Sequence, residues 1–276
     1  MSAAGPAIER FRVATWNVNS LKARARGLDR LLGRTVPDVL LVQETKSGSV
    51  HPDAAEVFDR HGYVVEHVGS GSYNGVAIAA RHPLRDVERS GEFGIEVLDR
   101  EPRLISCVVG GPFTVRVASV YVPHGREVGH WHYDYKLAFL DALASVATRW
   151  LEQGRTIIGG DINVAPTDSD VFHPDAFIGN THVTERERAG YETLLGSGLV
   201  DVDAARWGPR QRRFTWWNHG LSYSRNLGMR IDVIVSDPAT AALIDTTWID
   251  HVERSAERPS DHAALMVDLH FGTPTR

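Results

Sequence analysis

The sequence predicts an α/β protein in which two packed sheets are covered by helices on their outer faces. Three observations carry this expectation. Short strand-like runs rich in Val, Ile and Thr, bounded by turn residues, dominate the chain. Helical stretches fall between them irregularly, so a doubly wound parallel sheet fits less well. Several runs are apolar at consecutive positions, which suits interior strands covered on both faces.

In chain order, FRVATWNV is the first such run, followed by a helix expected from Ser20 to Leu32. DVLLVQET, YVVEHVG, GVAIAAR, RLISCVV and FTVRVASVY come next; within the last, RVASVY alternates as a half-exposed strand would. Residues 133 to 151 form the clearest helix, because Leu140, Leu143, Ala144, Ala147, Trp150 and Leu151 recur along one face and Gly154 stands as its cap. After RTIIGGDI, Thr184 with Glu187 three residues on reads as the N-cap of a helix running to about Leu195. RIDVIVS and ALMVDLHF close the series. With no repeat or internal linker, residues 10–272 read as one domain between a flexible tail of residues 1–9 and a C-terminal tail of 273–276.

The 276 residues, 42% hydrophobic and 24% charged, suit a soluble globular protein with a substantial core and leave no room for extensive disorder. The N-terminus lacks the basic start and apolar run of a signal peptide, and no stretch approaches the ~20 apolar residues of a membrane span, so a cytoplasmic protein without a membrane partner is expected. The one cysteine, Cys107, lies in an apolar run and reads as buried and inert in a reducing compartment. With 30 Lys plus Arg against 35 Asp plus Glu, the net charge of −5 argues against holding nucleic acid by bulk charge. Local patches would have to serve: Lys22, Arg24, Arg26, Arg30 and Arg34, or Arg206, Arg210, Arg212 and Arg213, each of which reads equally well as a solvated face.

Polar residues gather at strand ends: Asn17 and Asn19 after RVATW, Glu44 after DVLLVQ, Asp161 and Asn163 after TIIGG, Asp232 in MRIDVIV, and Asp261 with His262 before the final strand. Strands deliver such groups to a common rim, where acidic groups repel one another unless a cation neutralises them. Carboxylates and amides without a cysteine partner make a hard-oxygen site, suited to Mg²⁺, with Mn²⁺ as a substitute, and Glu44 is the first expected ligand. Taken singly, each residue is more simply a cap or turn former.

Asp161 and Asn163 would address one phosphate or one water if the chain is extended there; the alternative is a plain polar turn. His262 reads as a general base or phosphate donor whose ring Asp232 could fix. The stretch FTWWNHGLSYSRNLGMRID mixes Phe214, Trp216 and Trp217 with Arg225 and Arg230, as a nucleotide-stacking surface or as buried core; strand alternation turns at least one Trp toward a cleft.

Together ATWNVNSLKAR, DVLLVQETK, YNGVAIAAR, SVYVPHG, GGDINVAPTD, GMRIDVIVSD and PSDHA resemble, in the same order and over nearly the whole chain, the motifs of the exonuclease III family of AP endonucleases. The resemblance implies a four-layer, DNase I-like α/β sandwich of two mostly antiparallel mixed sheets flanked by helices. It implies a Mg²⁺-dependent repair nuclease cutting double-stranded DNA 5′ to abasic sites, with 3′-5′ exonuclease and 3′-end cleaning activity. Its partner would be duplex DNA with abasic sites or damaged or recessed 3′ ends; the protein would be a monomer, at the nucleoid if bacterial.

By the same resemblance Asn17, Glu44, Asp161, Asn163, Asp261 and His262 form the metal environment. Asp161 would orient or deprotonate the attacking water, Asn163 would steady it, Tyr121 would reach the phosphate, and His262 paired with Asp232 would donate to a phosphate oxygen. Trp216, Met229 and Ile231 would wall a pocket for a flipped-out abasic sugar. Arg24, Asn74 and Arg230 would help hold the DNA. His124 stands where relatives usually carry Asn or Gln, which makes that contact a candidate for pH dependence, and residues 126–132 follow no family pattern. The rival readings are a phosphatase or phosphodiesterase of the same superfamily acting on a lipid headgroup, and a retired scaffold; filled catalytic positions disfavour the latter.

Overall fold

The computed structural model describes residues 9–208 and 212–272. Both expected tails lie outside the described residues, except that Glu9 already belongs to the first strand, and Arg210 of the second basic patch lies outside them too.

Two six-stranded sheets face each other. The first runs in the order β13 (Ile244–Asp250), β14 (Ala264–Phe271), β1 (Glu9–Asn17), β2 (Val39–Gln43), β4 (Val76–Ala80), β3 (Val64–Val68). The second runs β5 (Leu84–Arg89), β6 (Leu104–Val109), β7 (Val115–Tyr121), β8 (Thr156–Asp161), β12 (Asp232–Ser236), β9 (Val200–Asp201). A separate ribbon pairs β10 (Trp216–Trp217) with β11 (Gly228–Met229). Each sheet holds one parallel pair, β1 with β2 and β7 with β8, among antiparallel neighbours.

The period of two along each strand builds the layers. Val13, Leu41 and Ile78 point inward to meet Cys107, Val117, Ile157 and Ile234 of the second sheet. Their neighbours Ala14, Leu40 and Ala77 point outward onto Leu28, Leu31 and Phe58, from the helices Leu21–Thr35 and Pro52–Arg60. Beyond the second sheet, Ala118, Val120, Ile158 and Val233 meet Leu140, Leu143 and Trp150 of the helix Trp131–Gln153 and Leu194 of the helix Glu185–Gly196. The result is helix, sheet, sheet, helix. Burying one Leu or Val side chain contributes about 1.5–3 kcal/mol, so strands that face both a sheet and a helix gain from being apolar at consecutive positions. No helix among the described residues is long and apolar enough to cross a membrane.

The expected caps form. Ser20 accepts from Ala23 N, and Thr184 and Glu187 make a reciprocal capping box. The half-exposed reading of RVASVY is corrected: β7 lies inside the second sheet with Val117, Ala118, Ser119 and Val120 all buried. Its polar Ser119 does not face water but donates to Val42 O at 2.9 Å and accepts from Gln43 Nε2 at 2.9 Å, tying the two sheets together. Strands β5 and β13 went unread because, at sheet edges, sequences such as LRDVER and IDTTWID need no apolar run.

The topology brings the chemistry to one rim. The C-terminal ends of β1, β2, β7 and β8 meet the starts of β12 and β14 there, and Asp161 pairs directly with Asp232 across the β8–β12 ladder.

Candidate active site

Glu44 leaves β2 in the left-handed region at φ 54°, followed by Lys46 at φ 50°; Asn19, Asn163 and His182 share that region at φ 47°, 51° and 81°. Such backbones cost about 1–3 kcal/mol each and persist only where surroundings impose them. The turn at 44–46 is imposed from both sides: Ser20 N donates to Glu44 O at 2.8 Å, Thr45 N to Gly75 O at 3.0 Å and Lys46 N to Asn74 O at 2.9 Å. Gly75 is required, since a Cβ there would stand 2.1 Å from Thr45 Oγ1. The Asn74–Gly75 turn, expected on DNA, thus first of all braces Glu44.

Glu44, Asp161 and His262 offer ligand atoms within 4.8 Å of one another. Asn17 Nδ2 donates to Glu44 Oε1 at 2.8 Å and to Asp161 Oδ2 at 2.9 Å, while its oxygen accepts from Asn19 N at 3.0 Å. Asn17 therefore holds the two carboxylates together. His262 Nδ1 meets Asp232 Oδ2 at 2.8 Å, and its Nε2 lies 3.7 Å from Asp161 Oδ2. A chain of polar contacts thus runs Asp232, His262, Asp161, Asn17, Glu44, ending at Lys46, whose Nζ is 2.9 Å from Glu44 Oε2.

Burial, with Asp232 and Glu44 close by, pushes the Asp161 carboxyl well up despite His262 beside it. Burial alone would push His262 down, but Asp232, Asp161 and Asp261 together hold it well above the ordinary histidine range. Glu44 is held below its usual value: burial opposes ionisation, and hydrogen bonds from Lys46 and Asn17 outweigh it. Tyr121 is pushed up by burial and by Glu44, so its phenol keeps its proton. Two carboxylates with one strained by desolvation form a cluster that a divalent cation relieves, and the donors are hard oxygens. The residues present fit such an ion. His262, held protonated by its carboxylate neighbours, stands as a donor, and Asp261 accepts from Asn19 Nδ2 at 2.8 Å and Trp216 Nε1 at 3.1 Å, which leaves its carboxylate further lone pairs.

Asp161 and Asn163 form a turn, not an extended face. Asn163 N donates to Asp161 Oδ1 at 2.9 Å, Asn163 Nδ2 donates to Val122 O at 2.9 Å, and Asn163 Oδ1 meets His182 Nε2 at 3.1 Å. With both amide atoms engaged, Asn163 holds the turn's shape.

Above the chain lies a cavity of ≈ 500 Å³ lined by Glu44, Tyr121, Asp161, Asn163, His262 and, as side walls, Trp216, Met229, Ile231, His124, His182 and Phe177. Trp217 is buried beside Phe214 and Ala263, so the alternation of the two tryptophans is as expected. His124 is pushed down by burial and by Lys136, which moves any pH dependence of its contact to the acid side. A larger groove of ≈ 760 Å³ runs along the helix Leu21–Thr35 past Lys22, Arg24, Arg26 and Arg60, but the groups able to do chemistry stand in the smaller cavity.

Several expected cations are otherwise engaged. Arg230, expected on DNA, is 4% exposed and pairs with Asp170 at 2.7 Å and Asp201 at 2.8 Å, so it holds the floor of the fold. Arg30 and Arg34 pair with Glu253 and Asp250, and Arg213 with Asp203. Lys22, Arg24 and Arg26 remain on the groove. Sequence reasoning missed Lys46 and His182. Lys46 was signalled by its place two residues after Glu44; His182 carried no signal, since it reaches Asn163 from a distant loop.

The endonuclease/exonuclease/phosphatase family model matches residues 14–262. An exodeoxyribonuclease of Bacillus subtilis (strain 168) is 30% identical over 229 residues, 82% of this chain and 87% of that protein. Among solved structures, the 3′ phosphatase NExo from Neisseria bound to a product DNA hairpin superposes with a TM-score of 0.87 at 32% identity, covering 95% of this chain and 100% of that one. An AP endonuclease from Archaeoglobus fulgidus gives 0.86 at 33% identity, covering 93% and 98%.

Proposed function

Because the chain belongs to the endonuclease/exonuclease/phosphatase family, we propose that it is a Mg²⁺-dependent nuclease of DNA repair, hydrolysing phosphate esters at damaged or recessed 3′ ends of duplex DNA and at abasic sites. The carrying observation is the chain Asp232, His262, Asp161, Asn17, Glu44, of which His262, Asp161 and Glu44 line one cavity. Likeness to a 3′ phosphatase with product DNA and to an AP endonuclease supports a phosphate ester of DNA as the bond cut.

Bound by Glu44 and the neighbouring carboxylate, the cation would supply charge to polarise the phosphate and lower the cost of attack. Asp161, buried next to Glu44 and His262, is suited by position to take a proton from the attacking water, and the Asn163 turn keeps its carboxylate aimed. His262, protonated and fixed by Asp232, donates from Nε2 to a phosphate oxygen as charge builds in the transition state. Tyr121, beside Glu44 on the cavity lining and holding its proton, would donate a hydrogen bond to the phosphate. Trp216, Met229 and Ile231 form an apolar wall that accepts a sugar and excludes a stacked nucleotide. Arg24, Lys22 and Arg26 would hold the DNA backbone, giving salt-sensitive, sequence-independent binding.

The test uses three duplexes, carrying a 3′-phosphate, a recessed 3′ end and a tetrahydrofuran abasic analogue, each with Mg²⁺ or EDTA. Mg²⁺-dependent hydrolysis of any one that vanishes in Glu44→Ala is the expected result, and the three rates rank the activities. Inactivity on all three, with hydrolysis of a phosphorylated lipid headgroup, would overturn the reading.

A further inference from the structure

We propose that the buried pair Lys136–Glu187 is a positioning device for the Asp161–Asn163 turn, coupling the two outer helices of the second sheet to the groups that face the phosphate. The inference rests on the reading above that this turn serves the attacking water.

Both side chains are 0% exposed. Lys136 Nζ meets Glu187 Oε1, donates to Asn163 O at 2.5 Å and to Thr181 Oγ1 at 3.3 Å, and lies 3.4 Å from His124 O. Glu187 Oε1 also accepts from Thr181 Oγ1 and from His182 N at 2.9 Å, while its Oε2 accepts from Thr184 N at 3.1 Å and Thr184 Oγ1 at 2.8 Å. One ion pair therefore gathers the chain leaving β7, the chain leaving β8, and the loop that carries His182.

A buried ion pair is a poor way to stabilise two packed helices, since apolar side chains of similar volume usually do as well or better. What this pair does that an apolar pair cannot is fix carbonyls and amides in direction. Asn163 needs that: its left-handed backbone at φ 51° sets where its carbonyl points, and Lys136 holds that oxygen. Glu187 acts on the other side, holding His182 N while the His182 ring meets Asn163 Oδ1 at 3.1 Å. The packing is close enough that Gly125 has no alternative, as a Cβ there would stand 2.8 Å from Thr181 Oγ1 and 3.1 Å from Lys136 Cδ. With the pair removed, the fold keeps its apolar helix–sheet core, whereas the turn loses the contacts that orient it.

The experiment compares Lys136→Met/Glu187→Gln, which leaves no lone buried charge, with Gly190→Ala, whose added Cβ meets Leu140 Cδ1 at 3.0 Å and disturbs the same helix–helix contact without touching the pair. Misplacing a reacting group by about 1 Å costs on the order of 100-fold. The double variant is expected to lose about 10–100-fold in kcat with KM for DNA changed less than about twofold, while Gly190→Ala keeps kcat at matched distance below its Tm. A double variant that keeps wild-type kcat, or that loses it only as Gly190→Ala does, overturns the proposal. If the double variant does not fold, Thr181→Val, which leaves both charges in place, decides by the same split: a fall in kcat at constant KM supports the proposal, and no change overturns it. A wild-type protein inactive on every DNA substrate would instead refute the functional reading.

Discussion

Replacing Asp232 by Asn removes a charge and almost no volume, and its consequences follow from one contact. Asp232 Oδ2 sits 2.8 Å from His262 Nδ1, and both side chains are buried. His262 reaches about 10 because Asp232, Asp161 and Asp261 outweigh a burial that works in the opposite direction. Asp232 makes the largest upward contribution, so without it the ring holds its proton less firmly and its Nδ1 loses the carboxylate that fixes it. The transition state then loses a charged, preoriented donor. Removing one such donor costs about 100–1,000-fold in kcat, or about 2.7–4 kcal/mol. Because the lost interaction strengthens only as charge builds on the phosphate, KM should barely move.

The sign of the pH dependence follows as well. In the wild type His262 stays charged through neutral pH, and its contribution is lost only as pH rises through its elevated pKa. In Asp232→Asn that loss moves to lower pH, so the variant's rate should begin to fall on the alkaline side at a lower pH than the wild type's, and acidification should not restore it, because Asp161 takes up a proton there. Single-turnover hydrolysis of a 3′-phosphate duplex, measured across pH for both proteins, is the assay. A variant within about threefold of wild type at neutral pH, or one whose profile parallels the wild type, would refute the reasoning.

Three further outcomes are expected. Mg²⁺ should raise the wild-type Tm by linkage, and Glu44→Gln should shrink that rise; an identical Mg²⁺-induced shift in the two proteins would remove Glu44 from the site. Arg230→Ala strands Asp170 and Asp201 in the interior and should cost about 3–5 kcal/mol in denaturant unfolding, while DNA affinity of the folded fraction stays unchanged; a loss of affinity at intact stability would return Arg230 to the DNA surface. His67, which meets Thr45 Oγ1 at 2.9 Å, is pushed down by burial to about 4. Its folded pKa is thus below the unfolded value of 6.5, so the stability it contributes is present above that value and is lost as pH falls toward 4. His67→Gln should flatten that slope in unfolding midpoints measured across the interval.

Much of the site was legible because of where strands end. Asn17, Glu44, Asp161 and Asp232 interrupt or follow apolar runs and His262 directly precedes one; any one of them could be a cap or turn former, but their recurrence at strand ends pointed to a common rim. Lys136 was legible in principle, since it stands four residues before Leu140 on the apolar face of its helix, where a lone charge implies a buried partner. Its partner Glu187 was read only as half of a capping box, which it also is. Arg230 misled because an Arg among aromatics next to a strand has the composition of a nucleic-acid surface, and composition does not report burial.

By itself the sequence determined the layers and the donor types. Strand period, capping boxes and consecutive apolar runs are local, and apolar burial follows from them with little dependence on what lies opposite. Tertiary structure alone decided what each polar group does. That Asn17 bridges two carboxylates, that His262 lies against Asp232 and that Arg230 is buried on Asp170 depends on partners 27 and 144 residues away for Asn17, 30 residues away for His262 and 60 residues away for Arg230. Hydrogen bonds and charges act over a few ångströms, and only the completed fold brings those partners within that range.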